Sequence, residues 1–158
     1  MISQAVEYSL RAMALLAQHS EAPLTVQYLA AKGQIPGPYL AKLLQGLVRG
    51  GLVRSQRGVG GGYSLSRSPD EITMADVVNA IEPLQRIRSC PLGLPGHIHL
   101  CPLHRRLDQT LALVEEAFQQ TRLSDLFRDT QGSTPLCDDT NLLSIGPPRG
   151  SRGPNKQS

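Results

Sequence analysis

Apolar residues recur every three or four positions from the start of the chain: after Ser3, a candidate cap, Val6, Leu10, Met13 and Ala17 gather on one face of a helix predicted to reach about His19. Beyond Ala22 and Pro23, Thr25 can cap a short second helix through Ala31 that buries Val26, Leu29 and Ala30, and Lys32, Gly33 and Gln34 end it. A third helix starts near Pro38, whose missing N–H costs nothing at a helix start, with Leu40, Leu43, Leu44 and Leu47 as its apolar stripe. Lys42, Gln45 and Arg49 point the opposite way, with Tyr39 and Ala41 on the flanks.

The period then shortens. Gly50 and Gly51 close the third helix, and Leu52 to Ser55 and Tyr63 to Ser66 predict two short strands. Between them Gly58, Gly60, Gly61 and Gly62 allow a tight ribbon that can bring Arg57 close to another surface. A fourth helix follows from about Thr73 to Ile81, with Met74, Val77, Val78 and Ile81 inward, and Pro83 stops it. Residues 83–101 carry neither period and hold Cys90, His97, His99 and Cys101; so long a loop in a small domain points to function or disorder. From Pro102, the residues Leu103, Leu107, Leu111, Val114 and Phe118 predict a long helix, with only Leu123, Leu126 and Phe127 left to cover it. Its apolar face is expected to meet a second copy of the chain in a twofold dimer. From Asp129 onward the composition is that of a disordered tail, which contains Cys137.

The expected fold is mainly α with a small β wing: a winged helix-turn-helix and a long dimerisation helix. Residues 1–82 form the DNA-binding part, 83–101 a sensor loop, 102–128 the dimer helix with a short closing helix, and 129–158 the tail. Charge sharpens the picture. Met1 to Arg67 hold seven Lys and Arg against Glu7 and Glu21, a net +5, while the whole chain carries only +3. The excess is local to the helix-turn-helix and ribbon, and a polyanion, double-stranded DNA, is the expected partner. No apolar run approaches a membrane span, so a cytoplasmic protein is expected, and three cysteines are too few for a secreted disulfide framework. Cys101 precedes a helix whose free N–H groups attract negative charge, with Arg86, Arg88, Arg105 and Arg106 adding nearby positive charge. Cys101 and His104, three apart, share a helical face and can meet one metal. No general base in a pocket is visible, and Glu115 and Glu116 give no sign of convergence, so no enzyme is expected.

The segment from Tyr39 to Arg67, followed by a helix, a cysteine-bearing loop and a long helix, resembles the Rrf-two family of bacterial winged-helix regulators over about Met1 to Phe127. The resemblance implies a homodimer, expected to act as a repressor, with its third helix in the major groove and its wing along the minor groove of a partly palindromic operator. Tyr39, Lys42 and Gln45 then face base edges. Thr25, Arg54 and the amides of Gly60 and Gly61 face phosphates, with Pro38 and Arg49 on the same surface, and Arg57 enters the minor groove. Ala41 stands where one member uses a glutamate to set operator choice, so the operator does not carry over.

The family's cluster-holding members usually have three cysteines; Cys90 matches the first, Cys101 the last and His104 a further histidine ligand, while Gly96 and His97 stand about where the middle cysteine would be. A three-thiolate site within the loop is therefore excluded. The resemblance implies an iron-sulfur cluster, in two-iron two-sulfur form, on Cys90, Cys101, His104 and a fourth group. Glu7, delivered across the dimer, is a candidate for that place, in competition with His97 and His99. Zinc, a metal-free thiol switch under redox or nitric-oxide control, and regulation by a partner protein or small molecule are the alternatives.

Overall fold

Residues 2–91 and 99–128 are described by the computed structural model. The tail from 129 with Cys137, and Gly96 and His97 in the loop, lie outside the described residues.

Each helix begins where a side chain or proline can satisfy or spare the free amides of its first turn. Ser3 Oγ accepts from the Val6 amide at 3.3 Å and opens α1 (Gln4–Gln18). Thr25 Oγ1 does the same for the Tyr28 amide at 3.2 Å and opens α2 (Val26–Gly33). The third helix, α3 (Gly37–Arg49), has no side-chain cap; Pro36 at its cap and Pro38 in its first turn fix the backbone instead. A reciprocal pair, Thr73 Oγ1 to the Asp76 amide and Asp76 Oδ2 to the Thr73 amide, starts α4 (Met74–Ile81). The long α5 (Pro102–Gln120) starts on Cys101 and Pro102, and α6 (Asp125–Arg128) is a single turn. Between α3 and α4, β1 (Val53–Gln56) pairs antiparallel with β2 (Gly62–Leu65), Val53 opposite Leu65 and Gln56 opposite Gly62.

The core sits where the predicted stripes converge. Ala12, Met13 and Leu16 of α1, Leu29 of α2 and Leu40, Leu44 and Leu47 of α3 are almost wholly buried together with Leu52, Val53, Ile72 and Val77. Fully burying a side chain of this size contributes about 1.5–3 kcal/mol, so α2 and α3 are held as one rigid unit with their polar faces outward. 

Two features add to the sequence expectations and two depart from them. Gln34, one of the residues expected to end α2, turns the chain into α3 with a left-handed backbone at φ 51°, while Gly33 ends the helix buried against Ile35. The wing is tied down on its outer edge: Leu24 and Tyr63 exchange two backbone hydrogen bonds of 2.8 Å, so β2 is flanked on both sides. Leu123 does not cover α5. It is fully buried in the helix-turn-helix core, drawn there by backbone pairing of 121–123 with 72–74 (Met74 N to Thr121 O, 2.8 Å; Leu123 N to Ile72 O, 2.9 Å). The apolar face of α5 is split: Leu111, Val114 and Phe118 line a groove with Ile2, Val6, Val78 and Leu84, whereas Leu103 and Leu107 stand 63% and 46% exposed. No residue of α5 is buried within the chain.

Candidate DNA-reading surface and cysteine site

On α3 the leucine stripe turns inward, which forces Lys42, Gln45 and Arg49 to the exposed side, as their spacing demands. Pro38 is exposed at the start of the helix, and Tyr39 is half-buried, its ring edge-on to Tyr8 of α1 with centroids 5.9 Å apart. Thr25, exposed at the N-terminus of α2, keeps its hydroxyl hydrogen free for an outside acceptor while its oxygen caps the helix. Arg54 reaches across the ribbon and donates from Nε to Ser64 Oγ at 2.9 Å, and Arg57 and Gly60 are exposed at the wing tip.

The tip needs its glycines. Gly58 and Gly60 take φ values of 96° and 73°, a region other residues enter only at a cost. A Cβ on Gly61 would stand 2.4 Å from the Gln56 carbonyl oxygen, and one on Gly62 would stand 2.5 Å from that of Leu24.

The cysteines come together at the base of α5. His104 Nδ1 lies 3.3 Å from Cys101 Sγ and 4.0 Å from Cys90 Sγ, so one ring nitrogen faces both sulfurs, and all three residues are half-buried. Helical spacing explains the Cys101 contact; Cys90 is brought from the far side of the loop. The donors are of the kind mixed cysteine and histidine ligation uses, and sharing a tetrahedral metal at about 2.0–2.3 Å would set them about 3.6 Å apart, farther than the Cys101 contact and nearer than the Cys90 one. As placed, the three do not form a metal-holding group: among the described residues no set of three or more His, Cys, Asp or Glu side chains is arranged to hold a metal ion. His99 is exposed, and Glu7 is paired on its own helix with Arg11, Oε1 to Nε at 3.1 Å. Arg11 also donates to the Gly33 carbonyl at 2.6 Å, linking α1 to the end of α2.

One group of residues was not legible as a unit. Arg86 grips both oxygens of Asp108 at 2.7 Å and reaches Glu115 at 3.0 Å, and the Ile87 amide donates to Asp108 Oδ1 at 2.9 Å. Glu115, expected to converge with nothing, shares this guanidinium with Asp108. Arg86 therefore lends the cysteines little of the positive charge expected of it. The hydrogen bonds from Arg86, reinforced by the Ile87 amide, hold the Asp108 carboxyl below the ordinary range, while Asp108 and then Glu115 keep Arg86 still more firmly protonated. The seven-residue spacing of Asp108 and Glu115, two turns apart on one helical face, is the signal the sequence carries for it.

A helix-turn-helix with a basic outer face and a glycine-tipped ribbon defines a winged-helix DNA-binding transcription regulator. Residues 2–129 match the family described as Rrf2, iron-dependent transcriptional regulator, and the chain belongs to that family. It is similar to the regulator CymR of Bacillus subtilis, 38% identical over 133 residues that span 83% of this chain and 92% of the relative. The solved structure of that protein, the global cysteine regulator, superposes with a TM-score of 0.68 at 32% identity, covering 80% of this chain and 95% of the other. IscR of T. potens gives a TM-score of 0.69 at 28% identity, with 82% and 87% covered. The oxidized form of Staphylococcus aureus CymR gives 0.63 at 25%, with 78% and 92% covered. These relatives are transcriptional regulators, and so is this chain; it is not an enzyme. No helix among the described residues is long and apolar enough to cross a membrane.

Proposed function

We propose that the chain is a homodimeric repressor whose affinity for a partly palindromic operator is set at Cys90, Cys101 and His104 by a two-iron two-sulfur cluster. The contact of both sulfurs with one imidazole nitrogen carries this reading. The family description as iron-dependent and the likeness to IscR agree with it. Cys90 and Cys101 supply thiolates, His104 a neutral nitrogen, and Glu7 of the second subunit a carboxylate for the remaining position. Such a cluster, when bound, supplies a redox- and nitric-oxide-sensitive cross-link. Cys90 sits on the linker from the reading head and the other two on the dimer helix, so joining them fixes the head relative to the twofold axis. A ligand shifts that balance only by its difference in affinity for the two arrangements.

On the DNA side, Tyr39, Lys42 and Gln45 read base edges in the major groove. Thr25, Pro38, Arg49, Arg54 and the amide of Gly60 lie along phosphates, and Arg57 enters the minor groove; the Gly61 amide, expected to share that role, instead donates to the Gly58 carbonyl at 3.0 Å and holds the wing turn. Anaerobic purification is expected to give a brown protein with iron and acid-labile sulfide, and specific DNA binding that weakens steeply with salt. A colourless protein with stoichiometric zinc would overturn the cluster.

A second reading is favoured by the 3.3 Å contact of Cys101 with His104, by the lack among the described residues of any three donors arranged to hold a metal ion, and by the oxidized form of the Staphylococcus aureus relative. Here Cys90 and Cys101 act as a metal-free thiol switch. Iron-free protein whose DNA affinity changes on oxidation, and not in a Cys90→Ser, Cys101→Ser variant, would select it.

A further inference from the structure

Cys90 belongs to a linker without helix or strand, yet it meets His104 as if held in register. The linker runs antiparallel to α5: Arg86 lies against Asp108 and, four residues later, Cys90 lies against His104, four residues back along the helix. Between the start of the linker and Cys90, the chain is tethered to α5 by Arg86 and Ile87, both bonded to Asp108, with Glu115 sharing the guanidinium. Leu100, which immediately precedes Cys101, lines the same depression as Arg86, Ile87, Asp108 and Glu115. Both ends of the loop thus border the depression that the ion cluster lines.

From this we infer that Arg86 is a positioning residue for the cysteine site. It touches neither sulfur, but its two-pronged hold on Asp108 sets the point from which the linker must reach, and so sets how closely Cys90 approaches Cys101. The guanidinium suits this work because two parallel N–H donors fix direction as well as distance, which an ammonium does not. The inference rests on the reading of Cys90, Cys101 and His104 as the sensing site, but not on which metal, if any, they hold.

The test needs no metal. In the full chain carrying Cys137→Ser, Cys90 and Cys101 are the remaining thiols. Equilibration with reduced and oxidised glutathione measures their proximity: one glutathione disulfide takes two electrons and two protons from the pair, leaving a protein disulfide and two glutathione thiols. Arg86→Gln is expected to lower the equilibrium constant by about tenfold, and Arg86→Lys by about threefold, since lysine keeps the charge and loses the fork. Glu115→Gln, which leaves the Asp108 pairing in place, is expected to change it by less than about threefold. The Arg86 pairing adds some stability, so a small fall in melting temperature is expected in Arg86→Gln; the equilibrium constant is therefore read where each variant is fully folded, a condition under which a merely structural role would leave it unmoved.

An equilibrium constant unaltered in folded Arg86→Gln would overturn the inference. If that variant does not fold, Arg86→Lys decides, an unaltered constant overturning and a fall supporting it. Failure of the Cys137→Ser parent itself to form the disulfide would instead overturn the convergence of Cys90 and Cys101, and with it the proposed sensing site.

Discussion

Single residues carry strain that the helical periodicity conceals. Gln34 turns α2 into α3 with a left-handed backbone, and its exposed side chain gives nothing evident in return. Gln34→Gly is therefore expected to stabilise the fold by about 0.5–1 kcal/mol, read as a higher melting temperature, because a Cβ in this conformation costs more than the chain entropy glycine adds. A sequence rule that looks for glycine at the left-handed position selects Gly33, one residue early; packing decides otherwise, since Gly33 is buried with Ile35 Cδ1 3.0 Å from where a Cβ would stand. Gly62 is the opposite case. Its Cβ would strike the Leu24 carbonyl that accepts from the Tyr63 amide, so Gly62→Ala is expected to cost about 2 kcal/mol in chemical unfolding and to weaken DNA binding as the ribbon shifts.

At the scale of elements, the stretches that periodicity reveals are those stabilised by their own neighbours in sequence. Four helices and both strands fall within a residue or two of their predicted bounds, because leucines at three and four residues, Thr73 with Asp76, and the glycines of the wing act locally. What was not legible is contact across long separations. The Leu24–Tyr63 bridge, the return of Leu123 to Ile72 and the hold of Arg86 on Asp108 each join segments whose own patterns are unremarkable. The same limit applies to the cysteine site: helical spacing places His104 with Cys101, but nothing local places Cys90 there. The linker clamp has a definite pH response. The Asp108 value is depressed in the folded chain, so the pairing adds stability above the ordinary carboxylate value of about 4 and loses it as pH falls through the lower folded value. The hydrogen bonds from Arg86 set that direction against desolvation, helped by the Ile87 amide and the positive charges of Arg86 and Arg88, while Glu115 shares the Arg86 guanidinium. The amide resonance of Ile87, which donates to Asp108, is expected to move only below pH about 4; an inflection above that would show that the carboxylate is not held.

For the whole molecule, the decisive imbalance lies between a finished reading head and an unfinished helix. The head buries its leucines completely, and the segment after α5 adds Leu123 to them, whereas α5 buries no residue at all and leaves Leu103, Leu107 and Leu113 in water. A second copy laid along α5 would cover the first two and place two basic surfaces on opposite sides of a twofold axis. Each head alone has few contacts with a half-site; two linked heads bind the second half-site at a raised effective concentration. Leu107→Glu puts a charge at the centre of that face while leaving the core of the head untouched. It is expected to reduce the mass in light scattering from twice the 17.1 kDa of the chain to that single value. Operator affinity should fall by at least about tenfold, while the helical circular dichroism of the head persists. A variant that remains dimeric and still binds the full operator would place the contact between subunits elsewhere than on this face of α5, and would also remove the reason for expecting Glu7 of one subunit near Cys101 of the other.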